Sequence, residues 1–391
     1  MKEKDGSMTT IELLFALLRS EICGTSVTLP ETLSNETLSE LYRISKSHDL
    51  SHIISSALYK AGVLGTDEIS QKLLNAQLLS VYRCEQLKHT LKEIGSAFEK
   101  EKIPYIPLKG SVLRSFYPEE WMRTSCDIDI LVHQGDVDNA TSILVNQLGY
   151  TNKGKNSHDV QMYTPNGIHV ELHYELVEDG RANSASTVLV DVWEHAATTE
   201  GYAYRNTMSM EMFYFYHIAH MAKHFESGGC GIRPFIDLWI IDHIDGLNYG
   251  KCSELLAKGQ LMKFAEAARK LSSVWLEGDE IDSLSQQMED YILRGGVYGT
   301  TANRITIQQQ KKGGKIKYAI SRIFLPYDVI KLQFPILQKH RWLTPVLEVY
   351  RWIKLLCCGR ARRSFEELQY NKNISSEKAN ATKNLLISLG L

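Results

Sequence analysis

The chain has 391 residues, 43% of them apolar and 23% charged, and a formal net charge of −2. That length holds two or three domains with a sizeable core, and the near-neutral balance excludes a polyanion binder that works through net charge alone. Seven cysteines, an odd number with no C-x-x-C pair, favour reduced thiols in a cytoplasmic protein over a disulfide framework.

The apolar stretch 11–18 is interrupted by Glu12 and followed by Arg19 and Glu21. It is too short and too charged for a signal peptide, and no uninterrupted apolar run of about 18 residues predicts a membrane span. Residues 8–101 read as helices, with Leu13, Leu14, Leu17 and Leu18 at helical spacing. Pro104 and Pro107 close that region, and the texture changes at Ile103. "IPYIPLKG" predicts a strand, "SVLRSFYP" a short helix stopped by Pro118, and "CDIDILVH" a strand with period two. "QGDVDNATSILVNQLGY" predicts a helix capped by an aspartate and closed by Gly149. "HDVQMYTPNGIHVELHYEL" predicts two strands around the turn Pro165-Asn166-Gly167. Helices return from Ala185, "GTTANRITIQQQKKGGKIK" reads as a loop or linker, and the polar residues beyond Arg363 read as a loose tail. The expected organisation is a helical domain over 1–101, an α/β core over 102–182, a helical domain over 183–300 and a basic amphipathic region over 301–391.

Asp127 and Asp129 stand two apart in a strand, so they share one face while Ile128, Ile130 and Val132 point into the core. Two carboxylates beside an apolar underside repel each other, and one would ordinarily take up a proton. A divalent cation removes the conflict, and oxygen ligands at this spacing suit Mg²⁺. In "IHVELHYEL" the residues His169, Glu171 and His173 share a face, which makes Glu171 the third acid in preference to Glu175 at the strand's end. D-x-D alone also fits a half-buried edge strand, or the metal grip of a sugar transferase. Upstream, the Lys109-Gly110-Ser111 turn can present backbone N–H groups and a hydroxyl to phosphate oxygens, or serve as a plain strand-to-helix turn. Arg123 is placed to clamp a phosphate or to pair with Glu119 or Glu120, and Arg114 reads as a surface residue.

The order of these features resembles the DNA polymerase β-like nucleotidyltransferase superfamily. More narrowly, "PLKGSVLRSFYP", "RTSCDIDILV", "VELHYEL" and "HIAHMAKHF…GIRPFIDL" are similar to an uncharacterised bacterial nucleotidyltransferase family, over roughly residues 40–245. The resemblance implies an α+β fold, a small mixed-sheet nucleotidyltransferase core flanked by helical regions. It implies that Asp127, Asp129 and Glu171 hold two Mg²⁺ ions, with Mn²⁺ as the alternative, on a nucleoside triphosphate such as ATP. An acceptor hydroxyl, on RNA, protein or a small molecule, would then attack the α-phosphorus. The gap before Asp127 is longer than the superfamily's usual one, which shifts phosphate contact from Ser111 toward Lys109 and Arg123. A catalytically silent nucleic-acid-binding module of the same fold and a D-x-D glycosyltransferase are the other readings.

His217, His220 and His224 lie on one face of a helix, but no cysteine at ligand spacing and no H-E-x-x-H accompany them. They read as a cleft-lining face, with His224, Arg233 and Asp237 near the site and His173 beside Glu171, or equally as satisfied core histidines. The stretch 311–363 carries thirteen Lys/Arg against Asp328 and Glu348, with aromatics interleaved. That pattern fits RNA or an anionic membrane surface. It fits better a packed amphipathic helix pair with solvated lysines, since aromatic stripes usually mean core.

Overall fold

The computed structural model of the chain describes residues 8–176, 184–297, 299, 301–357 and 376–391. It divides into two compact units, one of residues 1–222, 232–289 and 390, the other of 223–231, 290–389 and 391.

The first unit opens with α1 (Thr10–Ile22), α2 (Asn35–Ser47), α3 (Ser51–Lys60) and the 33-residue α4 (Glu68–Lys100). Thr9 and Glu12 form a reciprocal capping box on α1, and the Asp67 carboxylate accepts from the Ile69 and Ser70 N–H groups at the start of α4. Lys102 at φ +60° and Pro104 then stop α4. Next come β1 (Tyr105–Pro107), α5 (Gly110–Leu113), β2 (Asp127–Val132), α6 (Val137–Asn146), β3 (Thr151–Lys155), β4 (Asp159–Tyr163) and β5 (His169–His173). The five strands form one mixed sheet in the order β1-β2-β5-β4-β3. β2 and β5 run parallel, and the other neighbours run antiparallel.

Alternation decides what each face of the sheet carries. Ile128, Ile130, Val132, Val170 and Leu172 are buried against Leu87, Ile94 and Phe98 of α4 and Ala140, Ile143 and Leu144 of α6. The opposite face is left for the polar residues of β2 and β5. The first unit continues with α7 (Ser184–Leu189), the two-stranded ribbon β6 (Ala196–Thr198) and β7 (Asn206–Met208), and α8 (Met210–Phe225), whose last residues belong to the second unit. It ends with α9 (Arg233–Asp242), α10 (Tyr249–Lys258), α11 (Met262–Leu276) and the first part of α12 (Ser283–Leu293).

Several expectations change. β3, which the sequence pattern did not announce, is the polar run TNKGK with every residue exposed. It is an edge strand, where lysines and a bulge at Gly154 block further pairing. Asp136 precedes α6 but makes no side-chain cap bond. In the second unit, the stretch read as a linker forms α13 (Thr301–Lys312), and Gly313 and Gly314, both at positive φ, separate it from α14 (Lys315–Ile323). Ile305 and Ile307 of α13 are buried, Ile305 packing with Tyr318 and Ala379, and Asn303, Thr306 and Gln309 are buried beside them, so a low apolar count concealed a helix whose inner side is largely polar. α15 (Tyr327–Gln333), α16 (Thr344–Cys357) and α17 (Ser376–Ser388) complete this unit. The expected loose tail thus includes a helix with Leu385 and Leu386 buried, followed by the buried Leu389, while the tail's 364–375 lies outside the described residues.

The aromatic stripe read as core is only partly so. In α16, Glu348 faces inward, accepting from the Leu325 N–H and from Arg351, whose Nη2 also donates to the Ile323 carbonyl. Val346, Val349, Tyr350 and Ile353 form the outward stripe, each more than half exposed, and Trp342 and Phe324 are exposed as well. No helix among the described residues is long and apolar enough to cross a membrane.

Candidate active site

The polar face of the sheet is fixed by register. Asp127 stands opposite His169, Asp129 opposite Glu171 and Leu131 opposite His173. Parallel pairing of β2 with β5 therefore gathers Asp127, Asp129, His169 and Glu171 on one surface, with His173 beside Asp129. Ligand atoms of Asp127, His169 and Glu171 lie within 4.8 Å of one another, and so do those of Asp129, Glu171 and His173.

Lys109 reaches this face from the turn between β1 and α5. Its Nζ donates to Asp129 Oδ1 at 2.8 Å. His173 Nε2 donates to the same oxygen at 2.9 Å and lies 3.4 Å from Glu171 Oε2. Burial pushes the Asp129 carboxyl up, but the Lys109 and His173 charges outweigh it and hold the carboxyl well below the usual range. His173 shows the converse. Burial opposes its protonated form, but hydrogen bonds to Asp129 and Glu171 outweigh burial and raise its pKa. The Asp127 carboxyl is pushed up, first by burial and then by the Asp129 and Glu171 charges, with Lys109 opposing. One acid of the pair is thus compensated by the protein and the other is not.

The Lys109 backbone is strained, with φ +45° and ψ −120° on a residue that is not glycine. Such a conformation costs about 1–3 kcal/mol and persists only where the surroundings impose it. Here the next residue, Gly110, opens α5 with its Cα against Ser125, where a Cβ would come within 3.1 Å of the serine Cβ. Arg114 holds the turn, donating from Nε to the Gly110 carbonyl at 2.8 Å and from Nη2 to Ser125 Oγ at 3.1 Å. The reading of Arg114 as a surface residue is corrected: it is buried, because these acceptors sit below the turn. Ser125 Oγ in turn donates to the Asp127 carbonyl, and Arg83 of α4 donates to the Ser125 and Cys126 carbonyls. The strain gives a clean prediction. Lys109→Gly and Lys109→Ala both remove the ammonium, so only the backbone separates them. The glycine variant should unfold about 1–3 kcal/mol later than the alanine variant in denaturant titration; equal stability would mean that the turn is unstrained.

The remaining sequence candidates sit elsewhere. Ser111 lies in α5, half-buried. Arg123 is buried, its Nε donating to Asp237 Oδ1 at 2.7 Å, so it pairs neither with Glu119 nor with Glu120. Tyr117 Oη donates to the same Asp237 oxygen at 2.6 Å. Arg233 Nη1 donates to Asp49 Oδ2 at 2.7 Å and to Thr124 Oγ1 at 3.1 Å. Arg123, Asp237 and Arg233 therefore brace the segment entering β2 from behind. His217 is a satisfied core histidine, donating from Nε2 to the Pro234 carbonyl, and burial lowers its pKa. His224 belongs to the second unit. The sequence reading missed Tyr216 of α8, which is buried within electrostatic reach of Lys109, Asp129, Glu171 and Asp127. Nothing local distinguishes it from Tyr214 in the same helix, so only the packing could reveal it.

The donor set fits a divalent cation. Three carboxylates share a face on which Lys109 and His173 compensate Asp129 first, and no side chain hydrogen-bonds Asp127 among the described residues. Residues 34–277 match a family model described as an uncharacterised nucleotidyltransferase. Searches of curated proteins and of solved structures give no match.

Proposed function

From the premise that the chain belongs to this nucleotidyltransferase family, we propose that it moves a nucleoside monophosphate from a nucleoside triphosphate to an acceptor hydroxyl. The observation that carries the reading is the register of Asp127 and Asp129 on β2 with Glu171 on β5. Asp127, Asp129 and Glu171 would hold Mg²⁺, two ions by the family's pattern or Mn²⁺ in its place. Bound there, the metal supplies positive charge to the triphosphate oxygens as negative charge develops on them.

The chain's own groups do the rest. Lys109 adds a fixed positive charge beside Asp129, held by a backbone that aims it at this face. Gly110 lets the turn pack closely on Ser125, where a Cβ would come within 3.1 Å, and so fixes the backbone that presents Lys109. His173 orients Asp129 through its Nε2. The acceptor oxygen forms its bond to the α-phosphorus, pyrophosphate leaves, and the hydroxyl proton passes to the carboxylate face, where Glu171 is the more exposed acid beside Asp129. Arg123, Asp237 and Arg233 position the entry to β2 rather than touching substrate. Family membership sets the sugar-transferase reading aside.

Triphosphate binding tests the proposal before any acceptor is known. An α,β-methylene triphosphate should bind the wild-type chain with Mg²⁺ and not with chelator, by calorimetric titration. The Asp127→Asn/Asp129→Asn double variant should bind it at least about tenfold more weakly with Mg²⁺. Equal binding by the double variant, or binding that ignores the metal, would sink the assignment.

A further inference from the structure

The two triads on the sheet face are not equivalent. Asp129 already receives two donors on one oxygen, Lys109 Nζ at 2.8 Å and His173 Nε2 at 2.9 Å. A second cation there would have to displace or crowd the half-buried Lys109 ammonium. The triad of Asp127, His169 and Glu171 has no such occupant. His169 Nδ1 lies 3.8 Å from Glu171 Oε1, too far for a hydrogen bond, and His169 Nε2 is buried without a partner among the described residues. An imidazole with one nitrogen buried and unpartnered, directly opposite the Asp127 carboxylate, is uncommon, since buried polar atoms are ordinarily hydrogen-bonded. Its ring is stacked on Tyr163 at 4.8 Å between centroids, which limits its orientation.

We propose that Asp127, His169 and Glu171 form a mixed nitrogen–oxygen site for a single first-row transition ion of the Mn²⁺ class, and that the Lys109 ammonium fills the second cation position at Asp129. The inference rests on the nucleotidyltransferase reading of the same face for the role of the ion, and replaces the two-ion pattern of that reading with one ion and the Lys109 ammonium. Imidazole nitrogen is a ligand for transition ions, whereas Mg²⁺ prefers an all-oxygen shell with several waters. A nitrogen donor between two carboxylates therefore tilts the choice toward the transition ion. The strained Lys109 backbone supports the second half, since it directs a permanent charge to the one acid that an ion would otherwise share.

The test uses the full chain, freed of metal by chelation and without nucleotide. Mn²⁺ is titrated and its free form read by electron paramagnetic resonance, with Mg²⁺ as competitor. The wild type should bind one Mn²⁺ per chain, on the order of tenfold more tightly than Mg²⁺. His169→Gln should lose most of that preference while changing Mg²⁺ affinity less than about twofold, and Lys109→Met should admit a second Mn²⁺. Pulsed spectra of Mn²⁺ on the wild type should show coupling to a directly bound nitrogen, a readout that needs no variant to fold. Two ions on the wild type, no nitrogen coupling, or an unchanged Mn²⁺-to-Mg²⁺ ratio in His169→Gln would overturn the proposal. Because no nucleotide is present, such a failure is separate from a failure to transfer a nucleotidyl group with the metal site intact.

Discussion

Asp127→Asn is expected to raise the thermal stability of the metal-free protein, whereas Asp129→Asn is expected to lower it, although both lose nucleotidyl transfer by at least about 10³-fold. The opposite signs follow from the charge balance on one strand. Folding raises the Asp127 carboxyl above its ordinary value through burial and the Asp129 charge, so its ionised form is penalised at neutral pH. A neutral isostere removes that penalty. The Asp129 carboxyl is held low because Lys109 and His173 outweigh burial, so its ionised form stabilises the fold. Asparagine keeps an acceptor for Lys109 but gives up the charge. The common loss of activity follows from the proposed role of both acids in holding cation and triphosphate. Calorimetry on chelator-treated protein and label transfer on the loaded protein check the two halves. If both substitutions shifted stability in the same direction, this division of roles would be wrong.

Asp237→Ala is expected to cost about 3–5 kcal/mol of stability, because it leaves the Arg123 guanidinium buried without its partner. Asp237 is almost fully buried and accepts from Arg123 Nε and Tyr117 Oη on one oxygen. Burial pushes its carboxyl up, but the Arg123 and His217 charges and the two hydrogen bonds outweigh burial and hold it below the usual carboxylate range. A group depressed in the folded state contributes stability that is present above the unfolded carboxylate pKa and lost as pH falls through the folded one. Wild-type stability should therefore fall as acid carries the pH below the ordinary carboxylate range, and Asp237→Ala should flatten that fall. Denaturant midpoints at neutral and acid pH measure it. Arg123 stands four residues before Asp127, so the variant should also lower kcat more than it raises KM, as expected of a residue that positions β2 without touching substrate.

Much of the sheet was legible because alternation is a local signal. Asp127 and Asp129 declared their common face through Ile128 and Ile130, and Glu171 declared its own through Val170 and Leu172. The Pro165-Asn166-Gly167 turn announced the β4–β5 hairpin. The parallel register that sets Asp129 against Glu171 was not legible, since it depends on a crossover through α6, β3 and β4. Lys109 was named as a phosphate contact, but its left-handed backbone and its bond to Asp129 exist only through the packing of Gly110 on Ser125. Arg123 offered two partners nearby in sequence, and the true one is Asp237 on α9, 114 residues away. In the second unit the periodicity of α16 misled for a physical reason. A hydrophobic stripe predicts burial only if the helix has an apolar neighbour, and here Glu348 and Arg351 take the inner side through backbone contacts.

The most direct measurement follows a nucleoside triphosphate labelled at the α-phosphorus in one reaction and at the γ-phosphorus in a parallel one, with the wild-type chain and divalent metal. The expected result is metal-dependent release of the γ-label as pyrophosphate, with the α-label leaving the triphosphate as transferred or hydrolysed monophosphate, and neither event in Asp129→Asn. Release of the γ-label as inorganic phosphate, with the α-label retained in a diphosphate, would contradict it.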